Sequence, residues 1–371
     1  MIDVDELIIF LKNNKIDFYT GVPDSILKKL SSRIDNMNLK NHIISNNEGS
    51  AIALGAGYYL SKKKLPVIYM QNSGLGNAIN PLISLAHKKV YSIPLLLIIG
   101  WRGASGTKDE PQHLEKGKIT KDLLKLLNIK SLVLKKKVDF KKLKKLLSFA
   151  KKESTPVACL IKKDTFKLSK YSKKLIKEET YPKGLERSSV IKKILNKIKK
   201  NTDLISTTGF TSRELYQIRS DYKIKNGKDF YMVGAMGHAA MLAFGNSFFK
   251  KDNTICLDGD GSALMHMGSL AILGNHGKKN FKYILFNNGS HESVGGQKTI
   301  ASKINFEKIS KGFNFKRFFI SSSEKNLEKN LSRFLKLDGP SFFEIKIKNK
   351  SMKNLIRPKN LLTVKKNFLH D

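Results

Sequence analysis

Two short apolar runs, Thr254-Ile255-Cys256-Leu257-Asp258 and Tyr283-Ile284-Leu285-Phe286, limit what this chain can fold into more than any other feature. Each has the length of a buried strand, and residues 264–273 between them place apolar side chains at helical intervals. Strand, crossover helix and strand predict a parallel pair. The first run ends in Gly259-Asp260-Gly261 and the second in Asn287-Asn288. In open α/β sheets, ligands collect outside the carboxyl ends of the strands. An acid and an amide at two such ends suit Mg²⁺, which takes an octahedral oxygen shell and shares it with phosphates. Asp260 offers a charged oxygen, Asn288 an amide oxygen and Ser290 its backbone carbonyl. Gly259 and Gly261 let the backbone approach a diphosphate, and a helix starting near Ser262 aims its free N–H groups at it.

Two other readings of the glycine-rich segments fail on spacing. A calcium loop starting at Asp258 would put Ala263 where glycine is needed and Ser269 where the bidentate acid is needed. Gly74-Leu75-Gly76 opens like a dinucleotide fingerprint, but Ile79 stands at the third glycine position.

Strand and helix alternate through the rest of the chain. Strands are predicted near residues 17–20, 42–45, 66–71, 94–100, 131–134 and 156–161, each followed by a helical or polar stretch. A Lys-rich segment with Pro182 and Gly184 interrupts the pattern, which resumes with strands near 204–207, 230–233 and 342–347. The fold class expected is α/β, two doubly wound parallel-sheet domains over residues 1–165 and 188–371, joined by a linker over 166–187. A chain of 371 residues has room for both cores.

Lys and Arg number 69 against 31 Asp and Glu, a net charge of +38. Such a charge invites a nucleic-acid or anionic-membrane reading. Yet the lysines run along the whole chain beside abundant Asn and Ile, and Lys135-Lys136-Lys137 falls where helices and their connections are exposed. No RNA-recognition motif, zinc-finger spacing or recognition helix accompanies them. The expectation is compositional drift with no specific nucleic-acid partner; a basic nucleic-acid-binding protein is the alternative of a different class. The apolar run near residues 93–99 is too short to cross a bilayer. The acidic start Met1-Ile2-Asp3-Val4-Asp5-Glu6 is unlike a leader, and Cys159 and Cys256 sit in strand-like runs as buried thiols. A cytoplasmic protein without a membrane partner is expected.

Gly-Asp-Gly followed at this distance by Asn-Asn resembles the cofactor motif of thiamine diphosphate enzymes. The two-domain plan is similar to that of the short thiamine diphosphate-dependent decarboxylases, which lack the central domain of larger ones. The resemblance extends over essentially the whole chain, through Gly21-Val22-Pro23-Asp24-Ser25, Lys108-Asp109-Glu110-Pro111-Gln112-His113 and residues 288–297. It implies thiamine diphosphate and Mg²⁺ as cofactors, with the first domain binding the pyrimidine and the second the diphosphate. It implies that Glu48 bonds N1′ of the aminopyrimidine and activates the cofactor, a task that suits a buried carboxyl. The plain reading of Glu48 is an acid at a helix N-terminus. Met236 falls where the family places a wedge between the cofactor rings, flanked by Gly234 and Gly237, and the Gly234 carbonyl would accept from the 4′-amino group. Thr208 and the amide of Gly209 would bond the diphosphate, or only cap a helix. Sites of this family form between subunits, which implies a homo-oligomer.

The resemblance also implies the reaction. A small anionic 2-oxo acid, 3-phosphonopyruvate, would lose CO₂ to give phosphonoacetaldehyde in phosphonate biosynthesis, with sulfopyruvate as the alternative substrate. Asn72 in a polar, Gly-rich strand end, and Arg102 and Lys108 in the loop 102–113, are the expected substrate donors. Asp24 is either a helix cap or a proton-handling acid. Pyruvate decarboxylases carry a glutamate where this chain has Val294, so the donor that releases the aldehyde is one of His113, Asp24 and His291.

Overall fold

The computed structural model describes residues 1–168, 179–358 and 360–369. The chain divides into two compact units, Met1–Ile176 with Val294–Gln297, and Lys177–Ser293 with Lys298–Asp371.

The first unit contains β1 (Ile2–Asp3), β2 (Tyr19–Gly21), β3 (His42–Ile44), β4 (Val67–Gln71), β5 (Leu96–Gly100), β6 (Lys130–Leu134), β7 (Val157–Ile161) and β8 (Phe166–Lys167). Six of them form one parallel sheet in the order β3-β2-β4-β5-β7-β6. The central strands are continuous apolar runs because both faces are covered. Alternate residues separate into two cores. Val67, Tyr69, Leu96, Ile98, Val157 and Cys159 pack on one face. Ile68, Met70, Leu97, Ile99, Ala158 and Leu160 pack on the other. Strands β4 and β7 begin directly after Pro66 and Pro156, since proline has no N–H to give the ladder.

The second unit contains β9 (Asp203–Ser206), β10 (Lys228–Tyr231), β11 (Thr254–Gly259), β12 (Phe281–Asn287), β13 (Arg317–Ser321) and β14 (Ser341–Lys346). They form a parallel sheet in the order β10-β9-β11-β12-β14-β13. Numbered within its own sheet, each order reads 2-1-3-4-6-5. In both, the chain adds its second strand on one side of the first and its third on the other. That reversal opens a crevice at the carboxyl ends of β2 and β4, and of β9 and β11, which is where doubly wound sheets hold ligands.

The expected strands are present with shifts at their ends, and β1, β8 and β13 were not expected. β10 lies at 228–231 rather than 230–233 because the chain turns into left-handed conformations at Ala235 and Gly237 soon after it. β13 is an edge strand that pairs on one side with β14 and leaves Ile320 exposed. Of the segment expected as a linker, residues 169–178 lie outside the described residues. Its two ends are packed: Phe166 is buried and pairs with Ile2, and Leu185 bridges Ile347. The lysine-rich helix Phe140–Glu153 buries Leu143, Leu147 and Ala150 and exposes its lysines, a solvated face. Among the described residues, no helix is long and apolar enough to cross a membrane.

Candidate active site

In the second unit, three strand ends converge on one hydroxyl. Strand β9 runs into Thr207, Thr208 and Gly209, and the helix Phe210–Tyr222 starts at once. Gly209 has φ 96° and ψ −142°, a conformation open in practice only to glycine. The free N–H groups of that helix's first turn face outward from the strand end, a ready seat for an anion. Thr207 Oγ1 donates to Ser262 Oγ at 3.0 Å, and the Gly237 amide donates to the same oxygen at 3.1 Å. Ser262 thus ties the turns after β9, β10 and β11 together. The expected residues Thr208, Gly209 and Gly237 lie on these turns, Gly259 ends β11, and Gly261 and Ser262 lie in the helix Asp260–Met265 that follows it.

Below them sits Asp258, wholly buried in β11, which the sequence reading did not single out. It accepts from the Gly259 amide at 2.9 Å and from the Tyr283 hydroxyl at 3.0 Å. Burial raises its carboxyl, against hydrogen bonds from Ser262, Gly259, Tyr283 and Thr207. Its signal in the sequence was an acid inside an otherwise apolar strand.

Asp260 and Asn288 leave adjacent strands side by side, because Gly259 pairs with Phe286 in the β11–β12 ladder. Asp260 is buried, and burial raises its carboxyl to about 6, with a hydrogen bond from Thr299 opposing the rise. Asn288 Oδ1 accepts from the Ser290 amide at 3.0 Å, and its Nδ2 donates to Glu292 Oε2 at 3.1 Å. Asn287 is turned inward instead, donating to Glu344 on β14 at 2.8 Å. The Ser290 hydroxyl is buried without a hydrogen-bond partner. A buried carboxylate, an amide oxygen and an orphaned hydroxyl fit a small hard cation that completes its shell with phosphate oxygens and water. Among the described residues, no cluster of three or more His, Cys, Asp and Glu side chains offers a competing metal site.

The turn after β10 is strained in a way that presents Met236. Ala235 has φ 51° and Gly237 φ 89°. An alanine in the left-handed region costs about 1–2 kcal/mol and persists only where its surroundings hold it. A Cβ on Gly237 would stand 2.4 Å from the His266 ring. Gly261 keeps a similar space: a Cβ there would lie 2.8 Å from His291 Nδ1 and 3.4 Å from the Met236 methyl. Met236, Gly261 and His291 therefore meet at one point. His238 and His266 stack beside it with ring centroids 4.6 Å apart, a pair the sequence did not announce.

The first unit holds two buried acids. Glu48 opens the helix Glu48–Lys62, capped by Asn47, whose side chain accepts from the Ser50 amide. Its Oε2 accepts from Asn77 Nδ2 at 2.8 Å, and burial raises its carboxyl. Gly74 leaves the space: a Cβ there would fall 2.2 Å from Glu48 Oε1. Asp24 follows β2. Its Oδ2 accepts from the amides of Ile26 and Leu27 at 3.0 and 3.1 Å, and its Oδ1 from Gln71 Nε2 at 2.6 Å. These bonds fix Asp24 against the turn ahead of the helix Lys28–Ile34, and its carboxyl is also raised by burial. Gln71 and Asn77, at the two ends of the polar segment expected to face the substrate, are the partners of the two acids.

Two expected substrate donors are engaged elsewhere. The Asn72 amide donates to the Arg102 carbonyl and the Thr120 hydroxyl, both at 2.9 Å, and accepts from the Arg102 amide at 3.1 Å. That pins the end of β4 to the end of β5. Arg102 makes a two-pronged pair with Asp109, whose carboxyl also accepts from the Gly103 amide, and it reaches Ser25 Oγ at 3.2 Å. The physical reason is local: Asp109 closes the same loop that carries Arg102, so the nearest anion is already in place. Lys108 is exposed. His113 lies in the first turn of the helix Pro111–Leu126, with its carbonyl packed against Gly103.

Comparison with known proteins agrees with this layout. Residues 4–124 match the N-terminal TPP binding domain of thiamine pyrophosphate enzymes, and residues 207–345 match their C-terminal TPP binding domain. Phosphonopyruvate decarboxylases of Streptomyces viridochromogenes and Streptomyces hygroscopicus are 32% and 31% identical to this chain over 97% of it, and over 92% and 91% of their own lengths. A sulfopyruvate decarboxylase of Methanosarcina acetivorans is 26% identical over 80% of this chain and 78% of its own length. With both binding domains matched and decarboxylases similar from end to end, the chain belongs to the thiamine pyrophosphate enzymes as a decarboxylase.

Proposed function

We propose that this protein decarboxylates 3-phosphonopyruvate to phosphonoacetaldehyde in phosphonate biosynthesis, with thiamine diphosphate and Mg²⁺ as cofactors. The observation that carries the reading is the end-to-end similarity to proteins named phosphonopyruvate decarboxylase, over 97% of the chain, whereas sulfopyruvate decarboxylases match at 26% identity over 80% of it or, as separate subunits, over less than half. When bound, thiamine diphosphate supplies the electron sink that lets CO₂ leave a 2-oxo acid. Asp260, Asn288 and Ser290 would hold Mg²⁺, and Thr208, Gly209 and Ser262 the diphosphate. Met236 would pack against the cofactor rings, with the Gly234 carbonyl accepting from the amino group.

Glu48 would hold and return a proton at N1′. Burial raises its carboxyl and so strengthens a shared hydrogen bond there. Of the candidate donors for releasing the aldehyde, Asp24 fits better than His291. Burial favours the protonated, donating form of Asp24. Burial lowers the His291 imidazolium to about 4, which leaves that ring neutral near pH 7.

Substrate choice tests the reading directly. A phosphonate offers more charge and more acceptor oxygens than a methyl group, so a site built for it contains donors that pyruvate leaves unpaired. Each unpaired buried donor costs roughly 1–3 kcal/mol. Phosphonopyruvate is therefore expected to exceed pyruvate in kcat/KM by on the order of a hundredfold, at about 1.4 kcal/mol per factor of ten. Lys108→Ala is expected to erode that preference more than it weakens cofactor binding. A panel of 3-substituted pyruvates decides the point: equal turnover of phosphonopyruvate and pyruvate, or a preference for sulfopyruvate, refutes the substrate assignment.

The proposed active form is a homo-oligomer with Glu48 and Asp260 drawn from different subunits at each site. Inactive Glu48→Gln and Asp260→Ala subunits, mixed into one oligomer, are then expected to regain activity at some sites. Verified mixed oligomers without any recovery would remove this part of the proposal.

A further inference from the structure

One buried ion cluster in the second unit has a place in neither the core nor the reaction described above. Arg187 begins the helix Arg187–Lys197, and its side chain is only 4% exposed. Its Nη2 donates to Glu292 Oε2 at 2.5 Å, and its Nη1 stands 3.4 Å from Glu214 Oε1. Glu214 lies on the helix Phe210–Tyr222 with its side chain 0% exposed, and it accepts from the Met352 amide at 2.9 Å. Such a cluster is weak evidence for stability, because the desolvation of its charges can outweigh their attraction. What it does accomplish is to hold Glu292 in one position.

Glu292 Oε2 takes a second hydrogen bond, from Asn288 Nδ2 at 3.1 Å. An ionised carboxylate only accepts, so it can face only the amino end of the amide. The Ser290 amide, donating to Asn288 Oδ1 at 3.0 Å, demands the same orientation from the other side. An Asn288 amide free to turn over would present N–H donors to a cation. We propose that Glu292 is a positioning residue for the metal: it keeps Asn288 Oδ1 turned toward the cation, and buried Arg187 and Glu214 hold Glu292 in place. The inference rests on the reading of Asn288 as a metal ligand. Residues that orient a metal ligand typically contribute about 10–100-fold in metal affinity.

The test is calorimetric titration of Mg²⁺ into the protein with thiamine diphosphate at saturation. Glu292→Ala is expected to weaken Mg²⁺ binding by about 10–100-fold. Glu292→Gln keeps an acceptor for the amide and is expected to restore binding to within about threefold, a rescue that a purely structural role would not require. In an Asn288→Ala background, Glu292→Ala is expected to add nothing. Should Glu292→Ala fail to fold, Arg187→Met/Glu214→Gln/Glu292→Leu removes all three charges of the cluster together and is expected to show the same loss. Unchanged Mg²⁺ affinity in Glu292→Ala, or an equal further loss in the Asn288→Ala background, overturns the inference alone. Full Mg²⁺ affinity in Asn288→Ala overturns the metal reading and the inference with it.

Discussion

Glu48→Gln is expected to bind thiamine diphosphate and keep its fold while losing about 10²–10⁴-fold in decarboxylation rate, the range a positioned acid–base group contributes. The side chain is buried at the head of a helix, held by Asn77, in a space that Gly74 leaves open. Glutamine fills that space and still accepts from Asn77, so the helix and its Asn47 cap remain. What it lacks is a carboxyl group able to take and return a proton. A surface acid at this place would be ionised and solvated, and its loss would cost little. Burial is what makes the exchange with glutamine severe, because it raises the carboxyl and strengthens the hydrogen bond through which a proton is held and returned. The measurement is exchange of the cofactor C2 proton in D₂O by NMR, alongside calorimetric cofactor binding. Unchanged exchange would remove Glu48 from the mechanism.

Asp260→Asn is expected to abolish Mg²⁺ retention and activity, and yet to stabilise the metal-free protein. Burial moves this carboxyl from its ordinary 3.8 to about 6. The folded state therefore binds the proton more tightly than the unfolded chain does. The stability tied to that proton is present below pH 3.8 and lost as pH rises through about 6. By pH 7 the ionised, unpaired carboxylate costs the metal-free fold about 3 kcal/mol, at about 1.4 kcal/mol for each tenfold step. Asparagine does not carry that cost and still accepts from Thr299. Urea unfolding of the metal-free proteins should show the variant ahead by up to that amount at pH 7, with the two converging near pH 4. The bound cation removes the penalty in the wild type, so protons and Mg²⁺ compete for the same oxygens. Mg²⁺ affinity is then expected to hold steady above pH 7 and to fall by roughly tenfold per unit below about pH 6. Affinity independent of pH down to pH 4, or a variant no more stable than wild type, would show that Asp260 is not the buried ligand.

The strand-helix-strand unit around Asp260 and Asn288 was legible because its signals are local. A run of apolar residues makes a buried strand, and the residue after its last ladder bond necessarily emerges at the strand's carboxyl end. The glycines beside Asp260 and the strained turn at Met236 are local as well. Steric limits act on each residue's own backbone, so they leave a mark in the sequence at the place where they operate. The same holds for Glu48, which follows a strand and opens a helix within six residues of His42.

The partners of these groups were not legible, for the opposite reason. Gln71 reaches Asp24, Asn77 reaches Glu48, and Thr299 reaches Asp260 across long stretches of chain. A hydrogen bond between distant segments needs only one suitable polar atom on each side, and such atoms are too common to form a pattern. Asn72 and Arg102 show the consequence. Both have the chemistry of substrate donors, and the fold also brings each of them a partner within the chain that the sequence did not announce. Arg187 is the extreme case, a charged residue at the end of a polar segment that the fold buries against two carboxylates.

Periodicity and spacing in the sequence determined that this chain forms parallel α/β units, where their strands end, and that an acid and an amide stand together at two of those ends. The strand order, the edge strand at Arg317–Ser321, the environment that raises Glu48, Asp24 and Asp260, and the orientation of the Asn288 amide were decided only by the tertiary structure. Backbone sterics and apolar periodicity act over a few residues and are written where they act. Desolvation and hydrogen-bond pairing depend on what the rest of the chain packs around a group, and no short stretch of sequence contains that information.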